Sequence, residues 1–281
     1  MLKKGLCYGG LRRDLEPREA FERARAAGFH GVELGLSAEG RVSLPAPYDE
    51  ADRAAELARS VGLELPSTMG PGFNELFALP VEESLPEILA RTERGCQAAR
   101  ALGAGAILQI PGFVQIAWDP KSPVIPYDVA WDRALTIYRA LAPVAEKHGI
   151  CLCVENVWNR FLLSPLEMRQ FVDAIGSPAV RVYFDVGNQL LNGFPEQWLR
   201  ILGPRIGRIH LKDFRTAIGN LNGFVMLLEG DVDWAAVMSA VSEIGYKGYL
   251  TAEYGPYRHG PDTLLAHLSA SMDRIIALAE Q

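Results

Sequence analysis

Four polar residues stand where apolar runs stop: Glu155 in "CVEN", Asp185 in "YFDVGN", His210 in "IHLKDF" and Glu253 in "LTAEY". Each belongs to a short β-rich stretch, so each reads as a side chain carried near the end of a buried strand. Burying even a neutral polar group without a partner costs roughly 2–7 kcal/mol, and a charge costs more. Taken singly, each residue has an ordinary explanation. A glutamate at a strand end is commonly solvated or salt-bridged, and a strand histidine is commonly a hydrogen-bonded core residue. Asp185 could cap the turn that contains Gly187. Taken together, about 30, 25 and 43 residues apart, they fall one per βα unit on consecutive strands. Three carboxylates and an imidazole converging on one point need a cation between them. Three oxygen donors and one nitrogen suit a single divalent metal ion, Mn²⁺ first, with Mg²⁺, Co²⁺ or Zn²⁺ as alternatives.

Bringing four such groups to one level requires parallel strands delivered in series. Eight strand candidates are present, at 5–9, 31–36, 63–68, 106–112, 150–158, 180–187, 207–214 and 248–255. Amphipathic patterns between them predict helices over 17–28, 49–62, 82–102, 128–148, 195–202, 233–245 and 262–280. Pro17 suits a first helical turn and Gly28 a stop. Helix–glycine–strand junctions such as "AAGFHGVEL" and "KHGICLCVE" recur, as βα units require. The expected fold is α/β, a single (β/α)₈ TIM barrel spanning 1–281 as one domain. A doubly wound sheet would announce itself with G-x-G-x-x-G after the first strand, and "YGGLRRD" lacks that spacing. The longest irregular segments, 111–127 and 215–231, both follow strands. In a barrel they lie on the face where strand ends point into an active site.

The bulk composition narrows the partners. The net charge is −6, with 49% apolar and 22% charged residues, values of an ordinary globular protein. Arg12-Arg13 and Lys3-Lys4 are isolated pairs, so nucleic acid, which rewards clustered cations, is not an expected partner. No stretch approaches the roughly 18 apolar residues of a membrane span. No signal peptide is expected, because "GLCYGGL" is cut short by Arg12, Arg13 and Asp14. Cys151 and Cys153 alternate along one strand and face the same way, while Cys7 and Cys96 stand alone. With no C-x-x-C, the four suggest reduced core thiols and a cytoplasmic setting.

In their order and spacing, "CVEN", "YFDVGN", "IHLKDF" and "LTAEY" resemble the xylose isomerase-like TIM barrels. Within these the likeness is to the sugar and sugar-phosphate isomerase/epimerase group, which includes ketose 3-epimerases and L-xylulose-5-phosphate 3-epimerases. It covers nearly the whole chain, is strongest over 150–255, and gains weak support from "GVEL" at 31–34. The resemblance implies a divalent metal held by Glu155, Asp185, His210 and Glu253, with Glu155 and Glu253 as a proton-transfer pair. On that basis the cation polarises a ketose carbonyl and acidifies the adjacent C–H. One carboxylate removes the proton to give a cis-enediolate. Return of a proton from the opposite face gives 3-epimerisation, the leading expectation. Return to the neighbouring carbon gives aldose–ketose isomerisation. The group's members are often dimers or tetramers, and no stretch of this sequence reads as an interface.

Further substrate contacts are expected from Glu33, Gln109, Trp158 and Asn188, each also open to a structural role. Asn188 falls where some members of the group carry a histidine, and an amide cannot shuttle a proton. Lys212 and Arg215 could meet an anionic group. The loop 216–230 holds no Lys or Arg, which points to a neutral sugar or one with a hydrophobic substituent. Two other enzymes of the barrel family remain as alternatives. One is an inosose dehydratase-like lyase with the same metal and a similar enolate. The other is an endonuclease IV-like repair enzyme, disfavoured because its histidine-rich trinuclear zinc site does not fit a chain with five histidines. A non-enzymatic metal-binding barrel is disfavoured because both glutamates are retained.

Overall fold

The computed structural model describes residues 1–44 and 50–280. Eight strands form its centre: β1 (Lys3–Cys7), β2 (Gly31–Leu36), β3 (Thr68–Met69), β4 (Ala106–Gln109), β5 (Cys151–Glu155), β6 (Val180–Asp185), β7 (Ile206–Leu211) and β8 (Tyr249–Ala252). Each pairs in parallel with its sequence neighbours, and β1 pairs with both β2 and β8, so the sheet closes into a barrel. The expected (β/α)₈ TIM barrel is the fold. Closure leaves the main strands without a free edge, and their Val, Ile and Leu side chains are buried.

One main helix follows each strand: α1 (Pro17–Ala26), α2 (Ala51–Ser60), α3 (Val81–Leu102), α4 (Tyr127–His148), α5 (Pro165–Ile175), α6 (Pro195–Leu202), α7 (Trp234–Glu243) and α8 (Thr263–Ala277). Pro17 stands at the first turn of α1 as its fixed φ favours, and Gly103, Gly149 and Gly176 close α3, α4 and α5 in the left-handed conformation. Among the described residues no helix is long and apolar enough to cross a membrane.

The third strand departs from the expected 63–68. Only Thr68–Met69 forms ladder, with a single bridge from Glu64 to Gly31. Pro66 lies between them and has no N–H to give, so the ladder is interrupted there. Most other strands stop two or three residues short of the expected bounds. Helix α5 was not among the expected elements, although its start signal is present. Ser164 accepts from Glu167 N at 3.2 Å, and the Glu167 carboxylate accepts from Ser164 N at 3.1 Å, a reciprocal cap with Pro165 just inside. Asp49, at the start of the expected 49–62 helix, lies outside the described residues.

All four cysteines are free. The Cys151 and Cys153 sulfurs lie 3.4 Å apart on one face of β5, as their alternation requires. Cys153 packs with Ala106, Leu108 and Tyr183 inside the barrel. Asp213, fully buried just past β7, organises the long loop that follows: one carboxylate oxygen accepts from Phe214 N, and the other from Leu228 N at 2.9 Å and the Trp234 indole at 3.1 Å.

The cap of α5 gives a direct test of local stability. Ser164→Ala should cost about 1 kcal/mol, read as a lower urea midpoint with an unchanged slope of the transition.

Candidate metal centre and active-site cavity

Register sets the level of the functional groups. Asp185 on β6 lies directly beside His210 on β7, and His210 beside Thr251 on β8. Glu155 ends β5, and Glu253 follows β8 by one residue, its N–H donating to Leu211 O at 3.3 Å. Consecutive strands therefore bring one oxygen each from Glu155, Asp185 and Glu253, and one nitrogen from His210, within 4.8 Å of one another. His210 Nδ1 stands 3.3 Å from Glu253 Oε2, 3.4 Å from Glu155 Oε1 and 3.9 Å from Asp185 Oδ2.

Two atoms of this cluster bear on what it could hold. His210 Nδ1 and Asp185 Oδ2 are buried and make no hydrogen bond. Buried polar atoms are rarely left so, and here both aim at the same point. The other nitrogen of the ring, Nε2, lies 2.8 Å from Glu33 Oε1. A hydrogen on Nε2 leaves the Nδ1 lone pair pointing into the cluster, the tautomer a metal requires. The second oxygen of Glu33 accepts from Ser67 Oγ at 2.6 Å and from the Tyr183 hydroxyl at 2.5 Å. Glu33 is thus wholly enclosed and braces the histidine from below, the structural role that its position in the sequence left open beside a sugar contact. Asp185 divides its oxygens. Oδ1 accepts from Asn188 N at 2.7 Å, capping the short helix Val186–Gln189, while Oδ2 is left for the cluster. Capping and metal binding are therefore compatible at this residue. Asn156 clamps the same strand end, donating to Asp185 O and accepting from Asp185 N, each at 2.8 Å.

Lys212 enters the cluster from beyond β7, its Nζ 2.5 Å from Glu253 Oε2 and 3.2 Å from Asp185 Oδ2. One ammonium thus stands among three carboxylates. The four donors fit a divalent ion: three hard oxygens and one imidazole nitrogen, two of these atoms without a hydrogen bond. Burial pushes the Glu155 carboxyl up to about 7, with the nearby Glu253 charge adding to it. Burial likewise raises Asp185. For Glu253 burial acts upward too, but Lys212 and His210 outweigh it and hold the group low. For His210 burial acts downward, and the surrounding Tyr183, Glu33, Glu155 and Glu253 outweigh it, raising the imidazole.

Above the cluster lies a cavity of about 260 Å³, whose wall includes Glu155, Glu253, Lys212, Asn188, Trp158 and Phe224. Asp185 and His210 are fully buried beneath it. Trp158 is fixed by its indole N–H, which donates to Asn188 O at 2.8 Å, and by ring contacts with Phe214 and Phe224 at centroid separations of 5.3 and 5.2 Å. Asn188 spends its amide N–H on Asn156 O at 2.9 Å. Two expected contacts lie elsewhere. Gln109 is buried against Gly70, where a Cβ would collide with its amide, and it does not line the cavity. Arg215 turns away to Glu229 O at 3.1 Å on the outer loop. The sequence reading missed Asn156, Asp213, Trp118 and Phe224. The first two sit beside the motif residues in "CVEN" and "HLKD"; the others come from long loops that carry no local signal.

The profile of the xylose isomerase-like TIM barrel family matches residues 21–275. A 2-epi-5-epi-valiolone 7-phosphate 2-epimerase from Actinoplanes sp. is 30% identical over 196 residues, 69% of this chain and 67% of the relative. An inosose dehydratase from Yersinia enterocolitica is 27% identical over 144 residues, 45% of this chain and 48% of the relative. The matched region thus spans about two thirds of the first relative and about half of the second. Among solved structures, an L-ribulose 3-epimerase superposes with a TM-score of 0.79 at 19% identity, covering 100% of this chain and 96% of that one. The IOLI protein with a bound zinc atom gives 0.79 at 15% identity, covering 98% of each chain.

Two outcomes test the centre. Mn²⁺ at about 100 times its dissociation constant should stabilise the fold by about 2.7 kcal/mol, seen as a higher melting temperature that EDTA reverses, and Asp185→Asn should lose most of that gain. Gly187 has no room for a side chain: a Cβ there would lie 2.6 Å from Lys212 Cβ and 2.8 Å from its backbone carbonyl oxygen. Gly187→Ala should therefore displace Lys212 and Asp185 together, lowering the melting temperature and weakening Mn²⁺ binding in calorimetric titration.

Proposed function

The chain belongs to the xylose isomerase-like TIM barrel family, and from that premise we propose that it is a divalent-metal-dependent ketose epimerase that inverts C3 through a cis-enediolate. Its epimerase relatives support the coarser statement, a sugar epimerase or isomerase. The reading of C3 follows a putative L-ribulose-5-phosphate 3-epimerase of Escherichia coli, 26% identical over 261 residues; the cation and the proton-transfer residues are read from the cavity.

The observation that carries it is the division of labour among the four donors. Asp185 and His210 are sealed beneath the floor, whereas Glu155 and Glu253 reach the cavity from β5 and from just beyond β8. A cation on these donors, Mn²⁺ by preference, supplies Lewis acidity to a ketose carbonyl and its neighbouring hydroxyl. The remaining work falls to the protein. Glu155 and Glu253 flank His210 Nδ1 at 3.4 and 3.3 Å, so a sugar carbon above the floor lies between two carboxylates. One takes the proton from C3 and the other returns one from the opposite face, which inverts the centre. Lys212 Nζ, in contact with Glu253 and 5.5 Å from the Phe224 ring centroid, offers a cationic donor to a substrate oxygen that gains negative charge. Trp158 and Phe224 make an apolar wall that limits water at the reacting carbon.

A second reading is favoured by the inosose dehydratase relatives: the same proton abstraction followed by loss of water. One experiment separates the two. The Mn²⁺-loaded protein is incubated with a panel of ketoses in D₂O, and the products are analysed by NMR and mass. Deuterium at C3 with an epimeric product supports the epimerase; a product lighter by one water supports the lyase. Glu155→Gln and Glu253→Gln, tested separately, should each slow the exchange by about 10²–10⁴-fold. Unchanged exchange in both variants would overturn the proposed roles.

A further inference from the structure

A second cavity, of about 750 Å³, adjoins the first and shares Val157, Trp158, Asn188 and Leu221 with it. Arg160 is the only charged residue in its wall among the described residues. Among the described residues Arg160 is exposed and makes no hydrogen bond or ion pair. The amides of Asn192 and Asn222, in the same wall, are likewise uncommitted. An unpaired guanidinium and two free amides beside a site that accepts a small polar molecule are the donor set for an oxyanion.

The backbone that presents Arg160 is held against its own preference. Arg160 and Leu162 have φ values of 56° and 54°, in the left-handed region that non-glycine residues avoid. The loop keeps this shape because its neighbours fix it on both sides. Asn159, fully buried, donates to Gly112 O at 2.6 Å and accepts from Phe161 N at 3.2 Å. Phe161 is buried between Tyr127, Trp131 and Phe171 at 5.5, 6.4 and 6.2 Å. Leu162 N donates to the Tyr127 hydroxyl at 3.1 Å. Strain of this kind persists where the surroundings over-determine it, and it gathers at ligand sites.

We propose that Arg160, with Asn192 and Asn222, binds an oxyanion at the far end of the substrate, so that the sugar handled at the carboxylate cluster is an anionic one: a ketose phosphate ester, or a keto-sugar acid as the other source of the same chemistry. This deepens the epimerase reading and rests on it for the position of the sugar. It also supplies the cation that the loop 216–230 lacks, from a loop that follows β5 instead of β7.

The test is calorimetric binding to the Mn²⁺-loaded protein of D-ribulose, D-ribulose 5-phosphate and D-fructuronate. The anionic ligands should bind at least about tenfold tighter than D-ribulose. Arg160→Ala should erase that advantage and leave D-ribulose binding as it was. A preference for the phosphate ester assigns the anion to phosphate; a preference for D-fructuronate assigns it to carboxylate. Arg160→Gly is the control for folding. Glycine relieves the left-handed strain, so this variant should melt no lower than the parent while losing the anion preference to the same degree. The proposal is overturned if the parent binds all three ligands alike, or if both variants weaken D-ribulose as much as the anions. Deuterium exchange in D₂O is read on the same samples. Anion preference without exchange would sink the epimerase reading and leave the Arg160 site standing; exchange without anion preference would do the reverse.

Discussion

Three carboxylates and an imidazole enclosed in one layer of a closed barrel form the constraint around which the rest of the molecule is arranged. Like charges a few ångströms apart in a poorly solvated interior cost several kcal/mol per ion unless they are compensated. The structure compensates from two directions. From below, Glu33 takes the outer nitrogen of His210 and is itself satisfied by Ser67 and Tyr183, so the ring is fixed in one tautomer and one orientation. From the side, Lys212 bridges Glu253 and Asp185. Nδ1 of His210 and Oδ2 of Asp185 still make no hydrogen bond, and both belong to the cluster. Atoms of this kind could serve as ligands to a metal ion.

Small residues and short ranges make this geometry permissible. Gly187 lets the backbone after Asp185 lie directly against Lys212, so the cap of one strand and the ammonium of the next share a space that no side chain could enter. Asn156 ties the end of β6 to the loop after β5 through both its amide atoms. These contacts tie the ends of neighbouring strands together at the level that the barrel register sets.

The walls are built differently. The loops after β5 and β7 each carry one buried anchor, Asn159 with Phe161 in the first and Asp213 in the second. These anchors satisfy backbone groups that would otherwise need water, and so fix irregular segments as firmly as regular ones. A rigid floor for the chemistry and individually anchored walls for recognition are a natural division in this fold, whose strand ends are constant in position and whose loops are free to vary.

Much of this was legible in the residues alone. The alternation of apolar runs and amphipathic stretches is local, so strand number, helix order and barrel closure followed from it. The four donors could be named because each interrupts its own buried run, an anomaly visible without any neighbour. Helix α5 has an equally local start signal in Ser164, Pro165 and Glu167. Other features had no local signature. Pro66 shortens β3 only because a partner strand needs its missing N–H. Glu33 reads in the sequence as a substrate contact or a structural residue; only the closed barrel shows that His210, arriving from the opposite part of the chain, holds it. Arg160 is an unremarkable loop arginine until Phe161 and Tyr127, brought together by the packing of α4 against the loop after β5, turn it toward the cavity. Sequence fixes what each segment prefers within a few residues, because propensity and periodicity act at that range. Which polar atoms are satisfied and which are left open depends on partners distant along the chain, and only the folded barrel determines that.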